Sequence, residues 1–325
     1  MRVCRFSAGG DVQLGFFSDQ SVIPLAAAAA ACAEATGEPV DLETSCLLSL
    51  LGPDGSYHAA ASQLALWLEG DGAGQLDALR SDLADVQLLV PLPRPNKLFL
   101  LAGNYAKHIE EGGGIAAERA ETFPYVFMKP PTTALTNPGE AIRIPSVNPV
   151  STDYELELAV VIGRGGKGIS EADALDHVAG YTVINDISDR KFRPNPGRKQ
   201  REKDGFFDWL HGKWHDSFCP CGPCVVSADA IADPQQLSLQ LKVNGELRQD
   251  SSTAAQIFPV AAVIEFISSF VTLEPGDIIS TGTPDGVGNT TGTYLKPGDE
   301  IAQGRIGHGV SREGTLRACA IIKAP

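Results

Sequence analysis

The run Asp153-Tyr154-Glu155-Leu156-Glu157-Leu158-Ala159-Val160-Val161 sets two glutamates two residues apart in a β-prone stretch. Alternate side chains of a strand share a face, so Glu155 and Glu157 emerge together. Two adjacent carboxylates repel each other unless a cation lies between them, and grouped oxygen ligands are what hard divalent ions such as Mg2+ and Mn2+ select. A solvated strand face would carry the same pattern. A third carboxylate comes from Tyr181-Thr182-Val183-Ile184-Asn185-Asp186-Ile187-Ser188-Asp189-Arg190, where an apolar strand ends in Asp186 and Arg190 follows four residues later. Three carboxylates leave an octahedral ion about three open positions for water or a chelating substrate.

In Gly103-Asn104-Tyr105-Ala106-Lys107-His108-Ile109-Glu110-Glu111, His108 and Glu111 stand i and i+3, neighbours on one helical turn. A carboxylate beside an imidazole fixes its tautomer and raises its basicity, which is how a general base is built; a surface helix pair has the same spacing. Lys129 and Lys213 sit among apolar and turn residues and suit a substrate carboxylate, although a lone lysine can equally snorkel to the surface. Thr281-Gly282-Thr283-Pro284-Asp285-Gly286-Val287-Gly288 offers hydroxyls and close backbone approach to an anion, or is a tight loop. The cluster Cys219-Pro-Cys221-Gly-Pro-Cys224 suggests zinc, yet no second pair is spaced to complete four ligands.

The elements that must position these groups are short. Strands are expected at Lys97 to Ala102, Glu157 to Ile162, Val178 to Ile184, Leu237 to Val243 and Asp277 to Ser280, with helical pattern at Ala26 to Ala33, Ala60 to Trp67, Ala106 to Glu111, Ser170 to Asp176 and Val260 to Phe270. The glycines Gly112 to Gly114 and the polar stretch to Thr122 read as a lid or a linker. The alternating prolines of Val90-Pro91-Leu92-Pro93-Arg94-Pro95 mark a boundary between a small accessory domain, 1–90, and a catalytic domain, 95–325. The fold class expected is α+β and β-rich.

The chain has 325 residues, 43% of them hydrophobic and 20% charged, an ordinary globular composition. A formal net charge of −14 opposes attraction to phosphate backbones, so nucleic acid is not an expected partner. No apolar run has the length of a membrane span, and none follows the start as an export signal would, so a cytoplasmic location is expected. Seven scattered cysteines do not form a secreted disulfide framework.

In order, Gly-Asn-Tyr-x-x-His-x-x-Glu at 103–111, Met-Lys-Pro at 128–130, Asp-Tyr-Glu-x-Glu-Leu-Ala at 153–159, Gly-Tyr-x-x-x-Asn-Asp at 180–186, Lys213, Val-Asn-Gly-Glu-Leu-Arg-Gln at 243–249 and Thr-Gly-Thr-Pro-x-Gly-Val-Gly at 281–288 resemble the fumarylacetoacetate hydrolase superfamily, from about Lys97 to Ile321. The resemblance implies a rolled, mixed β-sheet catalytic domain, a smaller N-terminal α/β domain and a homodimer. It implies Mg2+ or Mn2+, with Ca2+ as a substitute in crystals, on Glu155, Glu157 and Asp186; His108, Glu111 and Lys213 as catalytic groups; and Tyr105, Lys129, Arg190 and Thr281 around a 2-oxo acid substrate. Arg193 stands where members carry glutamine, the segment from Arg193 to Asp208 is long and charged, and the loop Gly304 to Gly314 is longer than usual. The chemistry implied is hydrolysis of a C–C bond in an acylpyruvate or related diketo acid, with an enolate that the cation stabilises. Decarboxylation of oxaloacetate, or isomerisation or hydration of a 2-oxo-alkenoate, would use the same site, and the fold does not choose among them.

Overall fold

In a computed structural model the residues described are 1–303 and 318–323; the expected long loop at Gly304 to Gly314 lies outside them. The main feature is an 11-stranded mixed sheet. From one edge its strands are Ser81–Asp82, Ser21–Pro24, Asp11–Phe17, Arg2–Ala8, Cys224–Ser227, Val178–Asn185, Leu156–Ile162, Ile278–Ser280, Leu98–Ala102 and Tyr125–Met128, with Gln87–Leu89 also pairing with Arg2–Ala8. Neighbours run antiparallel except Ile278–Ser280 beside Leu98–Ala102, which is parallel. A second, five-stranded sheet joins Glu246–Ser252, Ser238–Val243, Glu300–Gln303, Ala318–Lys323 and Ala141–Arg143.

Strand Leu156–Ile162 is buried along its whole length because both faces are covered. Leu156, Leu158, Val160 and Ile162 point into the largest apolar cluster, with Val263, Ile264 and Ile267 of helix Val260–Phe270. The opposite face carries Ala159 and Val161; Val161, with Ala179 and Val225, packs beneath the apolar sides of helices Leu25–Thr36 and His58–Glu69. Residues 1–24 therefore extend the same sheet that carries the carboxylates, through the pairing of Val3 with Val225 and Cys4 with Cys224. Gly180 allows the close pairing of its strand with Cys224–Ser227: a Cβ there would lie 2.3 Å from the Val226 carbonyl.

Most expected strands and helices form within a residue or two of the limits read from the sequence. The stretch Ser170 to Asp176 differs: i to i+3 hydrogen bonds from the N–H groups of Asp173, Ala174 and Asp176 close it into tight turns and the 3-10 helix Ala174–His177 before the strand begins at Val178. The segment Gly112 to Thr122 is mainly exposed and has one 3-10 turn, Arg119–Glu121. No helix among the described residues is long and apolar enough to cross a membrane.

Candidate metal and substrate site

Three carboxylates meet where two central strands end. Leu156 pairs with Asn185, so Glu155 and Asp186 lie side by side just beyond the same end of that ladder and are joined by the Asp186 N–H donating to the Glu155 carbonyl at 2.8 Å. Asn185 Oδ1 accepts the Glu155 N–H at 2.9 Å and fixes the turn from the other side. Glu157, two residues on, emerges on the same face as Glu155, as alternation requires. Carboxylate oxygens of Glu155, Glu157 and Asp186 lie within 4.8 Å of one another, and all three residues are buried.

Buried cations surround this cluster. Lys213 Nζ bridges Glu155 Oε2 at 2.8 Å and Asp186 Oδ2 at 2.5 Å. Lys129, 1% exposed, donates to the Ile187 and Phe218 carbonyls at 2.8 and 2.5 Å and lies 2.5 Å from Asp186 Oδ1. Arg190 spans two acids, its Nε at 2.8 Å from Asp153 Oδ2 and an outer nitrogen at 2.5 Å from Glu155 Oε1. Burial by itself would push the Glu155 carboxyl up, but the charges of Arg190 and Lys213 outweigh it and hold Glu155 well below the usual carboxylate range. Burial would also strip Lys213 of its proton; Asp186 and Glu155 overcome that and raise it.

Glu157 has the opposite balance. Burial, then the negative charges of Asp186 and Glu155, push its carboxyl well above the ordinary value. Its Oε2 accepts from the Ser280 hydroxyl at 2.6 Å and the Gly282 N–H at 2.8 Å, while Oε1 has no partner. Asp186 Oδ1, although close to Lys129, is not aligned with any donor. A buried oxygen without a donor, Glu157 Oε1, on an all-oxygen set of three acids fits a hard divalent cation. Among the described residues no other group of three acid, histidine or cysteine ligands converges. The thiols are apart from it: burial pushes Cys219 up to about 12 and raises Cys221 and Cys224 well above the usual value, and among the described residues no three ligand atoms converge around them.

The helix Ala106–Glu111 brings His108 Nδ1 to 2.9 Å from Glu111 Oε1. A carboxylate only accepts, so Nδ1 carries the hydrogen and Nε2 is left with its lone pair. Glu111 Oε2 is held in turn by the Gly286 N–H at 2.9 Å and the Thr290 hydroxyl at 3.3 Å. His108 is near enough to the triad that its charge, when the ring is protonated, adds to the pull on Glu155. Tyr105 is 1% exposed, Gln256 lies beside its hydroxyl, and the charge of Glu157 reaches it. Thr281 donates its hydroxyl to the Leu158 carbonyl at 2.9 Å and accepts from Gln256 at 2.8 Å, so both capacities are engaged within the protein. Arg193 is exposed, and helix Asp204–Gly212 follows it, stapled by Arg198 to Asp204 and Asp208.

Several supporting residues were not singled out from the sequence. Gln249 accepts the Leu156 N–H and donates to Thr283 and the Pro284 carbonyl, tying the strand to the 281–288 loop. Asn104 donates to the Phe258 and Thr281 carbonyls at 3.0 and 2.8 Å and accepts the Phe258 N–H at 2.8 Å. Their signal was their place in the motifs at 103–111 and 243–249 that carry the resemblance. Asn104→Ala leaves the Phe258 N–H and two carbonyls without partners, so a loss of about 2–4 kcal/mol in a denaturant titration is expected.

Residues 97–317 match the fumarylacetoacetate (FAA) hydrolase C-terminal family model, and residues 1–49 match the Rv2993c-like N-terminal model. Oxaloacetate tautomerase YisK of Bacillus subtilis is 39% identical over 258 residues, 78% of this chain and 81% of that protein. Mitochondrial oxaloacetate tautomerase fahd2 of Xenopus laevis is 40% identical over 221 residues, 67% of this chain and 65% of its own length. Among solved structures, a fumarylacetoacetate hydrolase of Exiguobacterium antarcticum superposes with a TM-score of 0.71 at 28% identity, over 100% of both chains. The maleylpyruvate hydrolase of Sphingobium sp. SYK-6 in complex with manganese(II) and pyruvate gives 0.67 at 28%, over 100% of this chain and 99% of that one. With its motifs in order, its mixed sheet reproduced and two thirds of its length matched, the chain belongs to the fumarylacetoacetate hydrolase family.

Proposed function

We propose that this protein is a divalent-cation-dependent enzyme that moves a proton at C3 of a small 2-oxo acid, interconverting the keto and enol forms of oxaloacetate or a close analogue. The observation that carries the reading is a buried triad of carboxylates with an unpartnered oxygen beside an oriented histidine. Glu155, Glu157 and Asp186 would hold Mg2+ or Mn2+. The cation, when bound, supplies positive charge next to the substrate's carboxylate and keto oxygens and so favours enolate formation.

The protein's own groups do the rest. His108, with Glu111 fixing its tautomer, would present Nε2 as the base that takes a proton from C3 as the enol O–H forms and returns one to C3 as that O–H breaks, the oxygen's proton exchanging with water. Lys213, held protonated, stands where negative charge develops. Lys129 and Arg190 hold Asp186 and Glu155 in place and add positive potential; Tyr105 would turn its hydroxyl, now beside Gln256, to the substrate. Thr281 supports the site through Leu158 and Gln256. The relatives of about 40% identity named oxaloacetate tautomerases support this choice of substrate.

A second reading, hydrolysis of an acylpyruvate, is supported by the likeness to maleylpyruvate hydrolase. In it the same dyad would activate water. Decay of the oxaloacetate enol and release of pyruvate from acetylpyruvate, each followed with Mg2+ and with Mn2+, separate the two. Accelerated enol decay alone upholds tautomerisation; pyruvate release alone assigns the hydrolase. No effect on either removes both substrates.

A further inference from the structure

The cation-binding half of the site and the base half are joined through one carboxylate that belongs to neither. Asp153 is 0% exposed, and four donors converge on it. Its Oδ1 accepts the N–H groups of Tyr154 at 2.8 Å and Gly288 at 2.7 Å. Its Oδ2 accepts Arg190 Nε at 2.8 Å and the Asn289 N–H at 2.9 Å. On one side Arg190 continues to Glu155 Oε1. On the other, Gly288 and Asn289 belong to the loop whose Gly286 N–H and Thr290 hydroxyl hold Glu111, and Glu111 orients His108. The seat is tight: a Cβ on Gly288 would lie 2.6 Å from Asp153 Oδ1 and 2.2 Å from the Thr293 carbonyl.

Resting on the metal-and-dyad reading given above, we propose that Asp153 is a positioning residue that couples the order of the His108 and Glu111 dyad to cation binding at Glu155, Glu157 and Asp186. Only an acceptor-only side chain satisfies all four donors. Asparagine would turn its NH2 group against two of these donors whichever way it faces, Arg190 with Asn289 or Tyr154 with Gly288, so one N–H of the 288–289 loop is released in either case. Coupling of this kind is reciprocal, so a change at either end is felt at the other.

The test is Asp153→Asn, with Mn2+ uptake measured from the electron paramagnetic resonance of the free ion and the His108 Nδ1–H proton observed by NMR in Mg2+. The expected result is Mn2+ affinity weakened by about 10–100-fold, as for other supports of a metal ligand, together with loss of the His108 resonance and an unchanged circular dichroism spectrum. In the wild type, Mg2+ should slow amide exchange at Gly288 and Asn289, and Glu111→Gln, which removes no ligand of the triad, should weaken Mn2+ binding. Wild-type Mn2+ affinity and an intact His108 signal in Asp153→Asn overturn the proposal. If that variant does not fold, amide exchange at Gly288 and Asn289 indifferent to Mg2+ overturns it instead. Should the wild type show the coupling yet turn over neither oxaloacetate nor acetylpyruvate, the substrate reading fails and the coupling stands.

Discussion

His108→Ala should lower turnover of the 2-oxo acid by a factor of about 10²–10⁴, the span that removal of a positioned general base produces. The variant should keep its fold and, because the arm through Glu111 stays anchored, most of its cation affinity. His108 is on a short peripheral helix whose residues are not fully buried, and Glu111 remains anchored through Gly286 and Thr290 without it. The fall should therefore be in kcat with KM little changed, because the base acts in the transition state and contributes little to ground-state binding. A steady-state comparison at saturating Mn2+ reads this directly. Equal losses in kcat/KM and Mn2+ affinity, with kcat preserved, would assign His108 to the ligand set instead.

How far such a result could be foreseen differs from residue to residue. The carboxylates Glu155 and Glu157 were legible because strand alternation alone puts them on one face, and strand Leu156–Ile162 forms where its apolar run predicts. Pairing with Asn185 then sets Asp186 at the same end, which no local pattern reveals since it depends on register between strands 30 residues apart. The His108 and Glu111 pair was legible from i, i+3 spacing, but its anchorage to Gly286, a 175-residue separation, was not. Arg190 and Lys129 were expected around the substrate; folding engages them with Asp153, Glu155 and Asp186, so what the structure gives them is a part in holding the acids. Thr281 likewise looked available and is fully hydrogen-bonded within the protein. The N-terminal segment held no chemistry-bearing cluster, and nothing in its pattern announces that Arg2–Ala8 completes the central sheet beside Cys224–Ser227. Long-range pairing is what periodicity cannot encode.

The second large effect separates two members of the triad that look alike in sequence. Asp186→Ala should destabilise the fold by about 3–5 kcal/mol, because it leaves Lys129 with no buried counter-charge and Lys213 with only Glu155. Against a total stability of roughly 5–15 kcal/mol, a large share of the folded population is at risk. Glu157→Gln should do the reverse in the absence of a cation. Burial and the charges of Asp186 and Glu155 make an ionised Glu157 costly, and glutamine can still accept from Ser280 and the Gly282 N–H. The sign follows from linkage: with the folded value above the unfolded one, Glu157 opposes folding once the pH exceeds the unfolded value, and a neutral isostere removes that opposition. The same substitution removes a cation ligand, so the rise in melting temperature that Mn2+ gives the wild type should vanish in Glu157→Gln even though its cation-free melting temperature is equal or higher. Paired thermal melts with and without Mn2+ decide it. A Glu157→Gln variant still stabilised by Mn2+ would place the ion elsewhere, whereas one destabilised without the ion would mean that the carboxylate is held by charges other than those of Asp186, Glu155 and Lys213.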